Sequence, residues 1–526
     1  MTEQKLKLNN KHPDYARMEL CWLKAMDFLR CGEAVLSPNH ITGKYWSAIS
    51  GGQAEGNDSD DTQKVKWASS DCKSYLYRHE TETDGEYYNR QIRATHWPLF
   101  SPVLNIFAAG ILRTPPKRSG ADAEPWSSFH RNTDRTGTSF DAFIRQALVL
   151  GLASGRIHAI TDMPEASGDR LVSLADQQAK KISPYTYLVE PIDLVDWLLD
   201  EDGNFIWAVV QEKQSENRAP GQPRGNALLQ YRVWTRDGWT LWRADEKDNW
   251  FEVGGKEHKL NEVPISTMYT SRFHTMDCES PLASLLSMDC RLFNKLSEQD
   301  TLERFCGFPI LGIPSDPDMK PARIDLGPAR AVTFPAGTGG PVWISPDPSH
   351  AQDSWTRNKD ALMISRLVGG VSRGKAEDSM EARSAAAIGA ESEEKRTQMT
   401  EWSCAVEEFD ASIHRHVAKW MGIDPEKVPA PSYERNFDLR ATEQQINDVL
   451  QIGAVRVVPS AVLAELIKPV IEKIMRENGA PAEAIEDAKA AVDQAAVEAN
   501  KVISVPERSE KVPVDDEDKS VATDKN

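Results

Sequence analysis

Residues 280–307 read SPLASLLSMDCRLFNKLSEQDTLERFCG, residues 349–375 read SHAQDSWTRNKDALMISRLVGGVSRGK, and residues 381–422 read EARSAAAIGAESEEKRTQMTEWSCAVEEFDASIHRHVAKWMG. In the first, Ser280 can cap a helix with Pro281 at its first position. Leu282, Leu285, Leu286, Leu292, Phe293 and Leu296 then recur at three- and four-residue steps, which predicts a helix ending near Cys306-Gly307. Between 308 and 345, short apolar runs (Ile310–Ile313, Ala331–Phe334, Val342–Ile344) are cut by many Pro and Gly, so a compact β element is predicted. Ser349 and Gln352 have the spacing of a capping box, and the helix they open carries Trp355, Leu362, Met363 and Leu367 before stopping at Gly369-Gly370. A third helix begins around Asp378 to Glu381. Its apolar face is Trp402, Val406, Phe409, Ile413, Val417 and Trp420, and its length of about 40 residues corresponds to roughly 60 Å. That far exceeds the usual helix of about 11–12 residues.

Upstream, Met18, Trp22, Met26 and Leu29 predict a helix over Tyr15–Leu29. Gly51–Asp61 is polar and acidic and reads as a loop. Asp84–Arg118 reads as two helices joined by a kink at its prolines, and Ser139–Leu152 as an amphipathic helix with Phe140, Phe143, Ala147 and Leu150 on one face. From Arg156 the period shifts towards β. Ile157–Asp162, Thr186–Pro191, Ile206–Glu212, Leu228–Thr235 and Trp239–Ala244 are predicted strands, with a two-residue hairpin turn at Asp237-Gly238 and another turn at Gly254-Gly255. Arg156–Tyr269 is therefore expected to be an antiparallel meander. Downstream, Thr442 and Gln445 suggest a capping box, Gly453 a stop, and Ser460–Asn478 and Pro481–Lys501 two short helices. Val505–Asn526 is Pro-punctuated and acidic and is expected to be disordered. No internal repeat is evident.

At 526 residues the chain exceeds one small core, and two to four subdomains are expected. The net charge of -18 argues against a protein that coats nucleic acid and does not exclude one that lets DNA pass without gripping it. Fifteen Trp serve either contact surfaces or the core. The seven Cys form no CxxC pair and read as free thiols in a reducing compartment. The N-terminus lacks an apolar targeting segment, and the longest apolar runs, such as Ala147–Ala153, fall short of the roughly 18 residues that span a bilayer, so a soluble intracellular product is expected.

The loop Gly369-Gly370-Val371-Ser372-Arg373-Gly374-Lys375 touches two catalytic motifs. Gly370–Gly374 matches GxSxG, the nucleophile elbow, which would make Ser372 the nucleophile of a serine hydrolase. That elbow needs a preceding strand and a separated acid and His. The residues before it are helical in pattern, and the downstream His414 and His416 share one helix. Gly369 through Lys375 is one hydroxyl short of a phosphate-binding loop, because Ala376 stands where Ser or Thr would hold magnesium. A charge reading suits it better. From His350 to Lys375 there are five basic residues (Arg357, Lys359, Arg366, Arg373, Lys375) against Asp353 and Asp360, a local cationic surplus that can meet phosphates without reading bases. The plain alternative is a solvated turn between helices. His414 and His416 project about 200° apart on a helix, so structural roles are expected for both rather than metal binding. Asp289, Glu298, Asp300 and Glu303 lie on one helix without a second carboxylate element, and no acid–base pair is assigned.

The order of these elements resembles the portal proteins of tailed bacteriophages, and Arg90–Pro116, Phe140–Pro164 and Pro184-Tyr185 resemble a portal-like subgroup. The resemblance covers roughly Tyr88 to Lys501 and rests on element order rather than on one diagnostic motif. It implies an α+β portal fold with these parts: an N-terminal wing over 1–279 (helices, then antiparallel β); a first stem helix over 280–306; a clip over 307–348; a second stem helix over 349–368; a tunnel loop over 369–380; a long wing helix and connection over 381–439; a helical crown over 440–501; and a disordered acidic tail over 502–526. Gly51–Asp61 and the tail have no place in it. The family forms a ring, usually of twelve copies, at one capsid vertex of the virion, through which double-stranded DNA is packaged and ejected irrespective of sequence. It implies docking to the terminase large subunit and to head-completion or adaptor proteins, contact with major capsid and scaffold proteins, synthesis in the host cytoplasm and no membrane. It implies no enzymatic activity, cofactor or metal. Gly369, Gly370, Ser372, Arg373, Gly374 and Lys375 would be the tunnel loop that touches DNA, and Arg357, Lys359 and Arg366 would face the channel from the stem. Another head–tail connector or scaffold component is the neighbouring alternative.

Overall fold

The computed structural model describes residues 8–32, 35, 75–79, 82–164, 183–214, 228–244, 249–272, 276–307, 310–315, 331–335, 342–344, 349, 353, 356, 385–435, 437, 460–477 and 482–503. It is mixed helix and sheet, and it divides into two units, Met1–Phe437 and Asp438–Asn526.

In the first unit, helix α1 (Pro13–Arg30) starts with Pro13 at its first position, where the His12 ring accepts from Asp14 N. Helix α2 (Asp84–Arg93) opens on a complete capping box between Thr83 and Glu86. Helix α3 (Phe100–Ile111) follows after six non-helical residues, Ala94–Leu99, so the expected kink is a true break between two helices. Pro98 sits in that break, where the residue before it is steered away from helical geometry. Strand β1 (Lys117–Ser119) and helix α4 (Trp126–Arg131) lead to helix α5 (Phe140–Ser154). Ser139 caps α5 and accepts from Ala142 N, and Gly155 ends it in the left-handed region at φ 85°. A Cβ there would lie 2.4 Å from Glu279 O, so both conformation and close approach require glycine.

The β region is an antiparallel meander with a companion sheet. Its strands are β2 (Arg156–Asp162), β3 (Tyr185–Val189), β4 (Leu194–Leu199), β5 (Phe205–Gln214), β6 (Leu228–Thr235), β7 (Gly238–Ala244), β8 (Trp250–Glu257) and β9 (Ile265–Tyr269). β4 to β8 form a five-stranded sheet in sequence order, while β2 pairs with β3 on one side and β9 on the other. Every residue of β2 is buried, which erases the alternation of a one-faced strand. Two turn assignments shift. The β6–β7 link is Arg236-Asp237, because Thr235 faces Gly238 and their side chain and backbone exchange hydrogen bonds. Gly238 opens β7, where a Cβ would lie 2.3 Å from Lys256 O. Gly254-Gly255 is no turn: both lie inside β8, beside a register shift, and a Cβ at Gly255 would lie 3.0 Å from Trp239 O.

Helix α6 (Ala283–Gly307) follows, with Ser280 Oγ accepting from Leu282 N, so the regular helix starts two residues beyond Pro281 and ends where the sequence indicates. Strands β10 (Ile310–Ser315), β11 (Ala331–Pro335) and β12 (Val342–Ile344) form the compact sheet expected between the long helices; central β10 is parallel to β11 and antiparallel to β12. Helix α7 (Ala385–Met421) is 37 residues long. Strand β13 (Ala430–Ser432) pairs back onto β1. The second unit contains helices α8 (Ser460–Glu477) and α9 (Ala482–Ile503), joined by Lys468–Asp493 and Lys489–Glu472 ion pairs of 2.6 and 2.5 Å.

The expected face of α7 is the one that enters the core. Trp402, Val406, Phe409, Ile413 and Val417 are buried against α3, α5, β2 and β9. Phe107 meets Trp402 edge-on at 5.3 Å. The indoles of Trp402 and Trp420 donate to Thr270 O and Thr161 O at 3.0 and 2.9 Å, which fixes the rotation of the helix about its axis. Cys21, Cys31, Cys278, Cys290 and Cys404 are free thiols. Among the described residues no helix is long and apolar enough to cross a membrane.

Candidate functional site

The tunnel-loop residues Gly369, Gly370, Ser372, Arg373, Gly374 and Lys375 lie outside the described residues, as do Arg357, Lys359 and Arg366, Gly51–Asp61, Thr442, Gln445, Gly453 and the acidic tail beyond Ile503, while Val502 and Ile503, expected in that tail, end the last helix. The described elements on either side of the loop are α6, the β10–β12 sheet and α7. Ser349, Asp353 and Thr356 are helical, in keeping with the expected second helix.

The C-terminal half of α7 is held by two polar clusters on its opposite sides. Asp410 and His414, one turn apart, build the first. Asp410 Oδ2 accepts from Arg118 Nε at 2.8 Å and from Tyr433 OH at 2.7 Å, and Oδ1 lies 2.8 Å from His414 Nδ1. His414 Nε2 meets His130 Nε2 at 2.8 Å, one ring donating and the other accepting. Arg118 also donates to Asp141 at 2.7 Å and to Tyr433 OH at 3.2 Å, so β1, α4, α5, α7 and the β13 region share one network. Burial would raise the Asp410 pKa, but the His414 and Tyr433 hydrogen bonds and the neighbouring His414 and Arg118 hold it below the usual carboxylate range. Burial, then His414 and Arg118, push His130 down to about 4.

The second cluster has the outline of a catalytic triad. Ser266 Oγ on β9 lies 3.0 Å from His416 Nδ1, and His416 Nε2 lies 3.5 Å from Glu262 Oε1. Two features oppose nucleophilic chemistry. Ser266 is 1% exposed, sealed between β9 and α7, where its hydroxyl also donates to Ser412 Oγ at 2.9 Å. Burial pushes His416 down to about 4 in spite of Glu262, too low for an efficient base near neutrality. The nearby open groove, of about 600 Å³, is lined by Lys259, Leu260, Lys419 and Ile423 among others, and Ser266 does not line it. The two histidines thus play structural roles on opposite sides of α7: His416 joins it to β9, and His414 joins it to α4. Among the described residues no group of three or more His, Cys, Asp or Glu is placed to hold a metal ion.

A third cluster belongs to α6 and centres on Asp289, to which the sequence alone assigns no role. Its carboxylate is fully buried and accepts from His96, Leu99 and Phe100. These partners lie about 190 positions away in sequence, and no local motif announces them.

Neither a protein-family model nor a curated protein sequence matches the chain. Among solved structures, it is similar to a chain in the virion of a native gene transfer agent particle, with 11% identity and a TM-score of 0.35 over 72% of this chain and 91% of that one. It is also similar to chains in the neck of the empty particle computed with C6 symmetry (12% identity, TM-score 0.32, 73% and 90% covered) and in the neck of the native particle computed with C12 symmetry (13%, 0.33, 69% and 87%).

Proposed function

We propose that the chain is a portal protein: copies close into a ring at one capsid vertex, and viral DNA passes through the ring during packaging and ejection. The observation that carries this reading is the order of elements: a 25-residue helix, a small three-stranded sheet, and a 37-residue helix whose C-terminal half is built into the core. At 1.5 Å per residue the last spans about 55 Å. Long elements around a small sheet suit a funnel wall with a docking tip. In this reading the tip meets the terminase motor and then the head-completion proteins, and twelve copies make the ring.

Electrostatics support the same assignment. A net charge of -18 keeps phosphate affinity low along a channel, because affinity rises with each cationic contact. Arg373 and Lys375 would supply a few local contacts to the moving backbone, with Arg357, Lys359 and Arg366 on the stem. Heterologous contacts that close give rings rather than filaments.

Electron microscopy of the purified protein tests the reading. Closed rings with a central channel are expected. Discs without a channel would point to another connector component, and monomers at high concentration would remove the proposal.

A further inference from the structure

Helix α3 begins without a cap of its own, since Leu99 at its N-cap offers no acceptor side chain. The first backbone donors are received by another helix. Leu99 N and Phe100 N both donate to Asp289 Oδ2 at 2.9 Å, and His96 Nε2 donates to Oδ1 at 3.0 Å. Asp289 is 0% exposed, and its carboxylate sits at the positive end of the α3 dipole. Five residues further along α6, Asn294 receives Tyr77 N at 2.6 Å and donates to Tyr75 O at 3.1 Å. One turn on, Ser297 Oγ accepts from Arg90 Nη1 at 3.5 Å, and Arg90 is itself paired with Glu82 at 2.7 Å in a buried setting. Directional, buried hydrogen bonds therefore tie α6 to the 75–79 segment, α2 and the start of α3.

We propose that Asp289 is a positioning residue that couples the β10–β12 sheet to the N-terminal half of the chain by capping α3 from α6. The two states are α3 capped, with α6 in place, and α3 uncapped, with α6 displaced. The sheet starts three residues beyond the end of α6, at Ile310. Asp289 lies about 27 Å back along the helix axis at 1.5 Å per residue. A helix transmits displacement along its axis, and the cap tolerates little of it, because hydrogen bonds weaken steeply with misalignment. A load on the sheet is then read out at Leu99–Phe100. The inference stands on this geometry whether or not the chain forms a ring.

Backbone hydrogen exchange of the full-length protein, resolved over residues 96–104, tests it in a two-by-two design. Leu311→Pro in the central strand β10 perturbs the sheet, and Asp289→Asn removes the charged acceptor while keeping the volume. Asp289→Asn alone is expected to speed exchange at Leu99 and Phe100 about tenfold or more. Leu311→Pro is expected to speed it in the wild-type background and to add nothing in Asp289→Asn. Where Asp289→Asn fails to fold, Asp289→Glu, which keeps the charge and displaces it by a methylene, is expected to give the same loss of response. Exchange over Phe140–Ser154 should stay at the wild-type rate in every variant that folds. If Leu311→Pro leaves residues 96–104 unchanged in the wild-type background, or if the two effects simply multiply, α6 does not couple the regions and the proposal falls.

Discussion

Replacing His416 with Asn should remove a defined part of the protein's acid sensitivity. The ring lies between Ser266, Ser412 and Glu262, with Arg415 and Lys419 close by, and is nearly closed to solvent. Burial lowers its folded-state pKa from 6.5 to about 4. The direction follows from proton linkage. Above pH 6.5 the imidazole is neutral in both states and there is no differential. As pH falls from 6.5 towards 4, the unfolded chain takes up a proton that the folded chain refuses, and stability is lost. By pH 4.5 that loss amounts to about 2.5 kcal/mol from this one residue. Asn offers a polar atom near the position of Nδ1 for Ser266 and does not titrate. The variant starts less stable at pH 7 because the site is underfilled. Its further loss between pH 7 and 4.5 should be smaller than that of the wild type by about 2.5 kcal/mol. Urea unfolding followed by tryptophan fluorescence at both pH values measures this. His130, Asp27 and Asp193 titrate in both proteins and cancel in the comparison. An equal pH-dependent loss in both proteins would show that His416 does not carry it.

Asp410→Asn should cost about 3 kcal/mol or more at pH 7, because Arg118 and Tyr433 lose a buried charged partner; the urea midpoint reports it. Gly155→Ala should cost about 2 kcal/mol or more, since the new Cβ meets Glu279 O in a left-handed backbone, and a shift in the thermal midpoint checks it. If the loop at 369–375 meets DNA in transit, the double variant Arg373→Ala, Lys375→Ala should assemble normally and package or retain less DNA. Unchanged DNA content would make the loop a connector only.

Much of the fold is legible because burial leaves a periodic trace. The face of α7 from Trp402 to Val417 shows it, as do the amphipathic pattern over Ser139–Leu152 and the separate apolar runs that become β10, β11 and β12. The misses have physical causes. Gly254-Gly255 reads as a turn, yet both lie within β8 beside a register shift; a Cβ at Gly255 would sit tightly at 3.0 Å from Trp239 O, while Gly254 has open space around it. Leu194–Leu199 and Ile265–Tyr269 are short strands, and Trp250–Glu257 is largely exposed and interrupted by two glycines, so pairing partners supply most of what defines them. The polar clusters are less legible still. Asp289 with Leu99, and His414 with His130, meet across about 190 and 280 positions, and only the tertiary fold brings them together. The candidate loop is an expectation from sequence alone, a run of glycine and cations between two helical patterns, and it lies outside the described residues.

On the proposed portal reading, copies of the chain close into a ring with a channel. Single-particle imaging of the full-length protein, averaged without imposed symmetry, tests it most directly. Closed rings are expected, twelve copies around, each with an open axial hole. A homogeneous population of compact monomers at high protein concentration would contradict it.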